Sequence, residues 1–219
     1  MPTTQPNLLY DGEAANTYAV RLFILERGGL SLSVRTIDVA SLENRKPPYR
    51  TTVNRRGEAP ALRIGNGGFV LTEITAVCEH LDEVAGGGRS LLGATPLERA
   101  EMRMWLRRVD LEIAQPVVVW FRNAPESVGL YRGHRVPSPE ARLSQVVAVN
   151  RLLNLLDEEQ EGKTRLCGDR FSAADVHFYG LVMLMVMGPA GWVRSPGGRN
   201  VEAYFERMEG GGAGGVEAV

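Results

Sequence analysis

The chain has 219 residues, a formal net charge of −1 and 44% hydrophobic residues, an ordinary composition for one large or two small folded domains. Acidic and basic side chains are interspersed, so the charge pattern favours neither a nucleic acid nor an acidic membrane surface as a partner. Two cysteines are too few for a disulfide framework and favour a reducing, cytoplasmic compartment. The three histidines show no metal-ligand spacing with the cysteines, so no metal site is predicted.

The first part of the chain alternates the patterns of strands and helices. Residues 7–11 have strand character, and a loop leads from them into a helix that ends at Arg27, before two glycines. Alternating apolar residues over 32–36 predict a second strand, and the right-handed crossover rule predicts that it pairs in parallel with the first. Two apolar runs, 61–64 and 69–71, are separated by turn residues and predict a hairpin.

A turn at Ala59-Pro60 and the helix after the hairpin form the candidate ligand-binding stretch. Pro60 has no N–H, and a cis bond before it would turn the backbone N–H and C=O of Ala59 outward, toward an extended peptide. Apolar residues at helical spacing over 74–81 predict an amphipathic helix that starts at Thr72. The free N–H groups at its N-terminus suit a ligand carboxylate, and Glu73 suits the ligand's ammonium group.

This stretch resembles the glutathione-binding segment of the glutathione transferases, whose usual pattern is G-x-V-P-x-L followed by L-x-E-S-x-A-I-x-x-Y-L. The chain reads G-E-A-P-A-L and then L-T-E-I-T-A-V-C-E-H-L, so Ile74 stands where the family has Ser. The resemblance implies that Ala59, before Pro60, pairs with the cysteinyl backbone of glutathione and that Glu73 receives its ammonium group. Ile74 then offers the γ-glutamyl carboxylate a backbone N–H but no hydroxyl. Lys46 is a candidate for the glycyl carboxylate, although an exposed loop lysine is the slightly favoured interpretation.

The same family activates the thiol of glutathione from the loop before the first helix. A free thiol has a pKa of about 8.5, and a hydrogen-bond donor at a helix N-terminus lowers it. Serine- or cysteine-type members place their catalytic residue here, and bacterial β-etherase-like members read G-A-N-S where this chain reads A-A-N-T over 14–17. The resemblance implies that Thr17 donates its hydroxyl to the thiolate, with Asn16 beside it. The alternative for Thr17 is a plain N-cap, and Tyr10, on the first strand, is a poorer candidate for the donor.

The resemblance also implies the fold. It predicts an α/β thioredoxin-like N-terminal domain over 1–84, followed by an all-α helical C-terminal domain over 95–219. A linker over 85–94 agrees with the Gly-rich composition there. The segment G-D-R-F-S-A-A-D, which begins at Gly168, resembles the capping motif of the helical domain in the same family. An apolar run over 181–187 would rise only about 10 Å against roughly 30 Å of hydrocarbon, so it is not predicted to span a membrane.

The second part of the chain reads as helices. Two capping boxes, at Thr95 with Glu98 and at Ser172 with Asp175, mark the starts of two of them. The predicted elements are a long helix from 95 toward 120 that Pro116 kinks, a loop over 123–139, and helices over 140–159, after Ser172 and over 200–208.

Glutathione transferases line the pocket of the electrophilic co-substrate with the long helix. The candidates on this helix are Trp105, Arg108, Gln115 and Trp120. The resemblance therefore implies a cytosolic, homodimeric detoxification enzyme that conjugates the glutathione thiolate to a small hydrophobic electrophile. One alternative is a glutathione-dependent β-aryl-etherase or dehalogenase, which the A-N-T loop suggests. A second is a non-catalytic binding or assembly module, which Ile74 and the missing loop serine favour.

Overall fold

The computed structural model describes residues 7–65, 68–131, 133–187 and 198–210. The chain divides into two compact units, Met1–Ser90 and Leu91–Val219. This division falls inside the Gly-rich segment over 85–94. Within the described part of the chain, no helix is both long and apolar enough to cross a membrane.

The first unit contains one four-stranded sheet with the strand order β2-β1-β3-β4. Strand β1 pairs in parallel with β2 and antiparallel with β3, and β3 pairs antiparallel with β4. The parallel first pair and the hairpin confirm the predicted thioredoxin-like arrangement, although turn residues 66 and 67 lie outside the described part. The elements are β1 (Asn7–Asp11), α1 (Ala15–Arg27), β2 (Leu32–Thr36), α2 (Tyr49–Thr52), β3 (Ala61–Arg63), β4 (Val70–Leu71) and α3 (Ile74–Val84).

A buried ion pair fixes the last turn of α1 to the last turn of α3. Arg27 Nε lies 2.8 Å from Asp82 Oδ1, and a second Arg27 nitrogen donates to the Asp82 carbonyl at 3.0 Å. The Ser90 hydroxyl donates to the other carboxylate oxygen at 2.6 Å. Because both charges are buried and hydrogen-bonded, removal of either partner would leave an uncompensated charge in the core. The two helices that lead into the candidate site are therefore held at their far ends.

Helix α3 begins later than the sequence predicts. Its first residue is Ile74 and its N-cap is Glu73, so the expectation that Thr72 starts the helix is wrong. The apolar face over 74–81 is as predicted, with Val77 and Leu81 fully buried. The start is displaced because Glu73 adopts a positive φ, which a helical spacing pattern does not encode.

The regular elements in the described part of the second unit are helices, and two isolated β-bridges lie over residues 165–170. The predicted capping box at Thr95 is present, because Thr95 Oγ1 accepts the N–H of Glu98 and the Glu98 carboxylate accepts the N–H of Thr95. At Ser172 only half of the predicted box forms: the Asp175 carboxylate accepts the N–H of Ser172, but the Ser172 hydroxyl donates to that carboxylate and does not accept the N–H of Asp175. The loop predicted over 123–139 contains one short helix. The elements are α4 (Pro96–Val109), a π-helical turn (Asp110–Ala114), α5 (Gln115–Arg122), α6 (Val128–Tyr131), α7 (Ala141–Glu159), α8 (Ala173–Met187) and α9 (Arg199–Gly210).

The π-helical turn accommodates Pro116, where the sequence predicts a kink. The N–H of Gln115 donates to the carbonyl of Asp110, five residues back, instead of four. In a regular α-helix the ring of Pro116 would clash with the carbonyl of Glu112, and the wider turn gives it room. The same turn places Asp110 Oδ1 at 3.5 Å from Nε2 of the buried His177, a contact too long for a strong hydrogen bond. This neighbour holds the pKa of the Asp110 carboxyl below its usual value.

Candidate active site

The candidate site is built around the Ala59-Pro60 bond, which is cis, as predicted. Side chains from the preceding segment hold the carbonyls of the two residues before Ala59. Asn44 Nδ2 donates to the Gly57 carbonyl at 2.6 Å, and the Tyr49 hydroxyl and Asn54 Nδ2 each donate to the Glu58 carbonyl at 2.8 Å. These hydrogen bonds fix the backbone on the amino side of the turn.

The side chain of Asn16 binds the carbonyl of Ala59 itself. Its side-chain Nδ2 donates to the carbonyl oxygen of Ala59 at 3.0 Å. That oxygen keeps one lone pair, and no described residue accepts the Ala59 N–H. The arrangement leaves Ala59 with a donor and part of an acceptor for an extended peptide, and it gives Asn16 a positioning role.

Thr17 lies in the third position of α1, not at the N-cap, which is Ala14. Its hydroxyl donates to the Ala14 carbonyl at 2.7 Å and accepts the Ala14 N–H at 2.8 Å. A hydroxyl has one hydrogen, and the Thr17 residue is only 1% exposed. The geometry therefore does not support the predicted donation from Thr17 to a thiolate. Thr17 instead resembles the predicted capping residue, but it caps the helix start from the third helical position.

The loop from β1 to α1 packs tightly against this turn. A Cβ on Gly12 would lie 2.7 Å from the Val39 side chain and 3.3 Å from the Ala59 side chain, so only glycine fits there without a shift. Glu13 has φ +48° and donates its N–H to Asp11 Oδ1 at 2.8 Å. Such a φ in a residue other than glycine is uncommon and concentrates at functional sites. The loop therefore brings the N-terminus of α1 to the cis-proline turn.

Glu73 combines an unusual backbone with an exposed carboxylate. Its φ of +69° and ψ of +121° lie in a region that glycine favours. Its carboxylate makes no hydrogen bond or ion pair to any described residue. Directly after it, the first N–H groups of α3 carry the partial positive charge of a helix N-terminus. A carboxylate beside a helix N-terminus complements an α-amino acid, whose ammonium and carboxylate groups need one partner of each sign.

Lys46 is exposed in the structure. Its Nζ donates to the Ser41 carbonyl at 2.7 Å. This placement agrees with the interpretation as a loop lysine, and a role toward a glycyl carboxylate would require that bond to be exchanged.

Known proteins match most of the chain. The family model "Glutathione S-transferase, C-terminal domain" matches residues 115–210. Glutathione S-transferase 2 of Saccharomyces cerevisiae is 30% identical over 178 residues, which are 78% of this chain and 73% of the yeast protein. The chain belongs to the glutathione S-transferase family.

Solved structures of the family show the same fold. Gtt2 from Saccharomyces cerevisiae superposes with a TM-score of 0.81 at 25% identity, over 92% of this chain and 95% of that one. A glutathione S-transferase domain-containing protein from Marinobacter aquaeolei VT8 also gives a TM-score of 0.81, at 26% identity, over 92% and 97% of the two chains. The fold of this chain, with its sheet-containing first unit and helical second unit, is therefore that of its family.

Two further relatives carry other names, and this chain matches a smaller share of their length. Protein LigF of Sphingobium sp. is 36% identical over 100 residues, which are 45% of this chain and 37% of LigF. Elongation factor 1-gamma of Carassius auratus is 29% identical over 133 residues, 61% of this chain and 27% of the factor. The chain thus spans between a quarter and two fifths of these two proteins.

The two tryptophans expected around the electrophile are packed inside the helical unit. Trp105 is 5% exposed, with Arg108 at 5.3 Å and Lys163 at 5.6 Å from its ring centre. Trp120 is 1% exposed, and Arg142 lies 5.1 Å from its ring centre. These contacts are those of core residues covered by cations, and they leave little of either ring for a ligand.

The other two expected pocket residues are exposed. Arg108 makes a 3.4 Å ion pair with Glu159, and Gln115 Nε2 donates to Asp110 Oδ1 at 3.3 Å. Both side chains are reachable from solvent, so they remain the candidates for contact with a second substrate.

Sequence reasoning missed a cavity of about 420 Å³ in the helical unit. None of the four expected pocket residues lines it. Its walls come from the end of α5, from α6 and from the segment after it, which the sequence shows as a loop rich in Arg and Pro. The cavity is lined by Val119, Arg122, Asn123, Val128, Tyr131, Arg135, Val136 and Pro137.

Proposed function

We propose that this protein is a cytoplasmic detoxification enzyme that binds glutathione and conjugates its thiolate to a small hydrophobic electrophile. The observation that carries the proposal is the pairing, within one unit, of a fixed cis-proline edge at Ala59 with an exposed Glu73 at the start of α3. The first feature suits the peptide backbone of glutathione. The second suits its γ-glutamyl end, which is the only free α-amino acid group in the tripeptide.

In this proposal each part of glutathione meets a group of matching chemistry. The Ala59 N–H donates to the cysteinyl carbonyl. The γ-glutamyl carboxylate accepts the N–H of Ile74 at the N-terminus of α3, and Glu73 binds the ammonium group. Hydrogen bonds to charged groups contribute about 1.5 to 3 kcal/mol each, so the γ-glutamyl end supplies most of the affinity.

The thiol is activated at the N-terminus of α1. The first N–H groups of this helix have no partner inside it, and they present partial positive charge to a thiolate. Asn16 has a second amide hydrogen besides the one that it donates to Ala59. We therefore assign thiolate stabilisation to the backbone N–H groups of the first turn and to Asn16. Thr17 closes that turn and acts as a positioning residue.

A homodimer is part of the proposal. Three large apolar side chains recur every seven residues along α4 and the π-helical turn, and all three are exposed: Leu97 at 78%, Met104 at 43% and Leu111 at 48%. An apolar stripe of this kind marks a surface for association. Light scattering should give twice the 24.0 kDa of one chain, and Met104→Glu should give the mass of one chain.

Retention on immobilised glutathione, followed by conjugation of 1-chloro-2,4-dinitrobenzene, tests the proposed function. We expect the protein to be retained, to elute with free glutathione and to form the dinitrophenyl conjugate faster than the uncatalysed reaction. Absence of retention would contradict the glutathione site itself. Retention without conjugation of any electrophile would instead favour a binding module.

Two alternatives have specific support. The A-N-T loop and the similarity to LigF favour cleavage of a β-aryl ether, which a model aryl ether would reveal through release of a phenol. The similarity to elongation factor 1-gamma, together with Ile74 and the committed hydroxyl of Thr17, favours a non-catalytic assembly module.

A further inference from the structure

The positive charge of the first unit is concentrated around the short helix α2. Residues 44–63 contain six Arg or Lys side chains and a single carboxylate, that of Glu58. The rest of residues 1–90 contains four basic and nine acidic side chains. Because the whole chain has a net charge of −1, this concentration of one sign marks a surface that attracts an anionic partner.

Three arginines beside α2, namely Arg50, Arg55 and Arg63, are called here the α2 arginine surface. Arg50 Nε donates to the Arg55 carbonyl at 3.2 Å, and Arg63 Nη2 donates to the Thr52 carbonyl at 3.3 Å. Within the described part of the chain, no ion pair joins any of the three to a carboxylate. Each guanidinium has five N–H donors, so all three keep donors for a ligand.

Arg63 is oriented by the sheet as well as by α2. Its guanidinium lies 5.3 Å from the ring centre of Tyr10, and Arg35, on the strand at the other side of Tyr10, lies 5.9 Å from the same centre. Arg35 forms an ion pair with Glu43 at 3.1 Å, whereas Arg63 contacts only the ring and a backbone carbonyl. A guanidinium stacked on a ring still presents its N–H edge, which matches the two oxygens of a carboxylate.

The surroundings of these arginines favour carboxylates over nucleic acid or lipid. Tyr10 and Tyr49, the aromatic pair beneath them, are each 2% exposed, so no base can stack there. Phe69 is exposed, but it precedes Val70, the register partner of Arg63, and strand alternation turns it to the opposite sheet face. The surface is also short, and the acidic excess of the rest of the unit would repel a long polyanion. A short acidic peptide matches both its charge and its extent.

We propose that the α2 arginine surface docks a short acidic segment of a partner protein. Carboxylates of that segment pair with the guanidinium groups of Arg50, Arg55 and Arg63. Arginine clusters are a recurring means of recognising acidic motifs, and arginine is enriched at protein interfaces. The surface includes none of the residues assigned above to glutathione, so this interaction goes beyond the proposed function.

Fluorescence anisotropy of labelled probes with the full chain tests this interaction. The probes are a short peptide of alternating Glu and Ser, its counterpart with Gln in place of Glu, and a short DNA duplex. We expect the acidic peptide to bind at least about tenfold more tightly than the Gln peptide, and its affinity to fall as salt rises from about 0.05 to 0.3 M. Equal binding of both peptides, or tighter binding of the duplex, would overturn the proposal.

Glutathione provides a competition arm. Because the arginine surface and the proposed glutathione contacts share no residue, saturating glutathione should leave the acidic peptide bound. Displacement of the peptide by glutathione would place it on the glutathione contacts and would overturn the assignment to α2. Since the peptide titration needs no glutathione, its failure is distinct from a failure to bind or conjugate glutathione.

Substitution of the surface locates the binding. The combined variant Arg50→Gln, Arg55→Gln and Arg63→Gln should weaken binding of the acidic peptide about tenfold or more. If that variant fails to fold, the pair Arg50→Gln and Arg55→Gln serves instead, because both side chains are exposed, and it should weaken binding about fivefold.

A matched control removes the same charge elsewhere. Arg89, Arg151 and Arg199 are exposed and lie outside residues 44–63, and their combined replacement by Gln should leave binding of the acidic peptide within about twofold of that of the unaltered protein. An equal loss in the control and the surface variant would show that only net charge attracts the peptide. That result, or unchanged binding in the folded surface variant, would overturn the proposal.

Discussion

Asn16 donates its side-chain amide to the carbonyl of Ala59 at 3.0 Å, across 43 positions of the chain. This bond joins the first turn of α1, where the thiol is to be activated, to the cis-proline edge, where the peptide of glutathione is to lie. The packing of Gly12 against the Ala59 side chain supports the same junction. The two parts of the proposed site are therefore positioned by one another.

Asn16→Ala removes this junction. A neutral hydrogen bond contributes about 0.5 to 1.5 kcal/mol, and the Ala59 edge also loses its alignment, so glutathione should bind about five to ten times more weakly. Calorimetric titration measures the change. Asn154→Ala, at an exposed asparagine of α7, is the matched control and should bind like the unaltered protein. Equal affinities in all three proteins would show that Asn16 does not position Ala59 for the ligand.

Thr17→Val tests whether the hydroxyl caps α1 or touches the thiolate. Because both hydrogen bonds of the hydroxyl go to Ala14, the substitution should lower the free energy of unfolding by about 1 to 2 kcal/mol, while Thr17→Ser should retain most of the stability. Denaturant unfolding gives this number. The rate of conjugation per folded molecule should change little. A tenfold or larger fall in kcat would instead restore the role of thiolate donor to Thr17.

Two substitutions of Glu73 distinguish the cost of its strained backbone from the role of its carboxylate in binding. Glu73→Gly relieves the positive φ and should raise the free energy of unfolding by about 1 kcal/mol, whereas Glu73→Gln keeps the strain. Both variants lose the carboxylate, so both should bind glutathione about tenfold more weakly. Unfolding curves and titrations on the same preparations distinguish the two effects. Undiminished binding in the Gln variant would mean that another group receives the ammonium.

Ile74→Ser restores the hydroxyl that the family uses at this position. The new hydroxyl can donate to the γ-glutamyl carboxylate, and such a bond contributes about 1.5 to 3 kcal/mol, so affinity for glutathione should rise roughly ten- to a hundredfold. The loss of stability should be small, because Val77 and Leu81 still anchor the helix. Weaker binding by the Ser variant would indicate that the natural ligand packs on the Ile74 side chain.

The sequence was most informative where the determinants are local. The first strands, the turn at Ala59-Pro60 and the capping box at Thr95 depend on neighbours a few residues apart, and the structure confirms each of them. The predicted start of α3 was wrong by two residues, and the predicted N-cap of α1 was wrong by three. A helix start depends on which backbone groups turn away from the helix, and the positive φ of Glu73 leaves no mark in the hydrophobic pattern.

Other features depended on distant packing, which spacing cannot show. Trp105 and Trp120 lie on the expected helix, but cations from α7 and from the segment after it cover their rings. The bond from Asn16 to Ala59 joins segments far apart in the sequence. The cavity of about 420 Å³ is lined in part by the segment that follows α6, whose composition indicates only a loop.

Titration of glutathione against the dipeptide cysteinylglycine tests the central claim most directly, since the two differ only in the γ-glutamyl group. We expect one glutathione to bind per chain and cysteinylglycine to bind at least about tenfold more weakly, because it cannot reach Glu73 and the N-terminus of α3. Equal affinity for the two peptides, or no binding of glutathione, would contradict the proposed site.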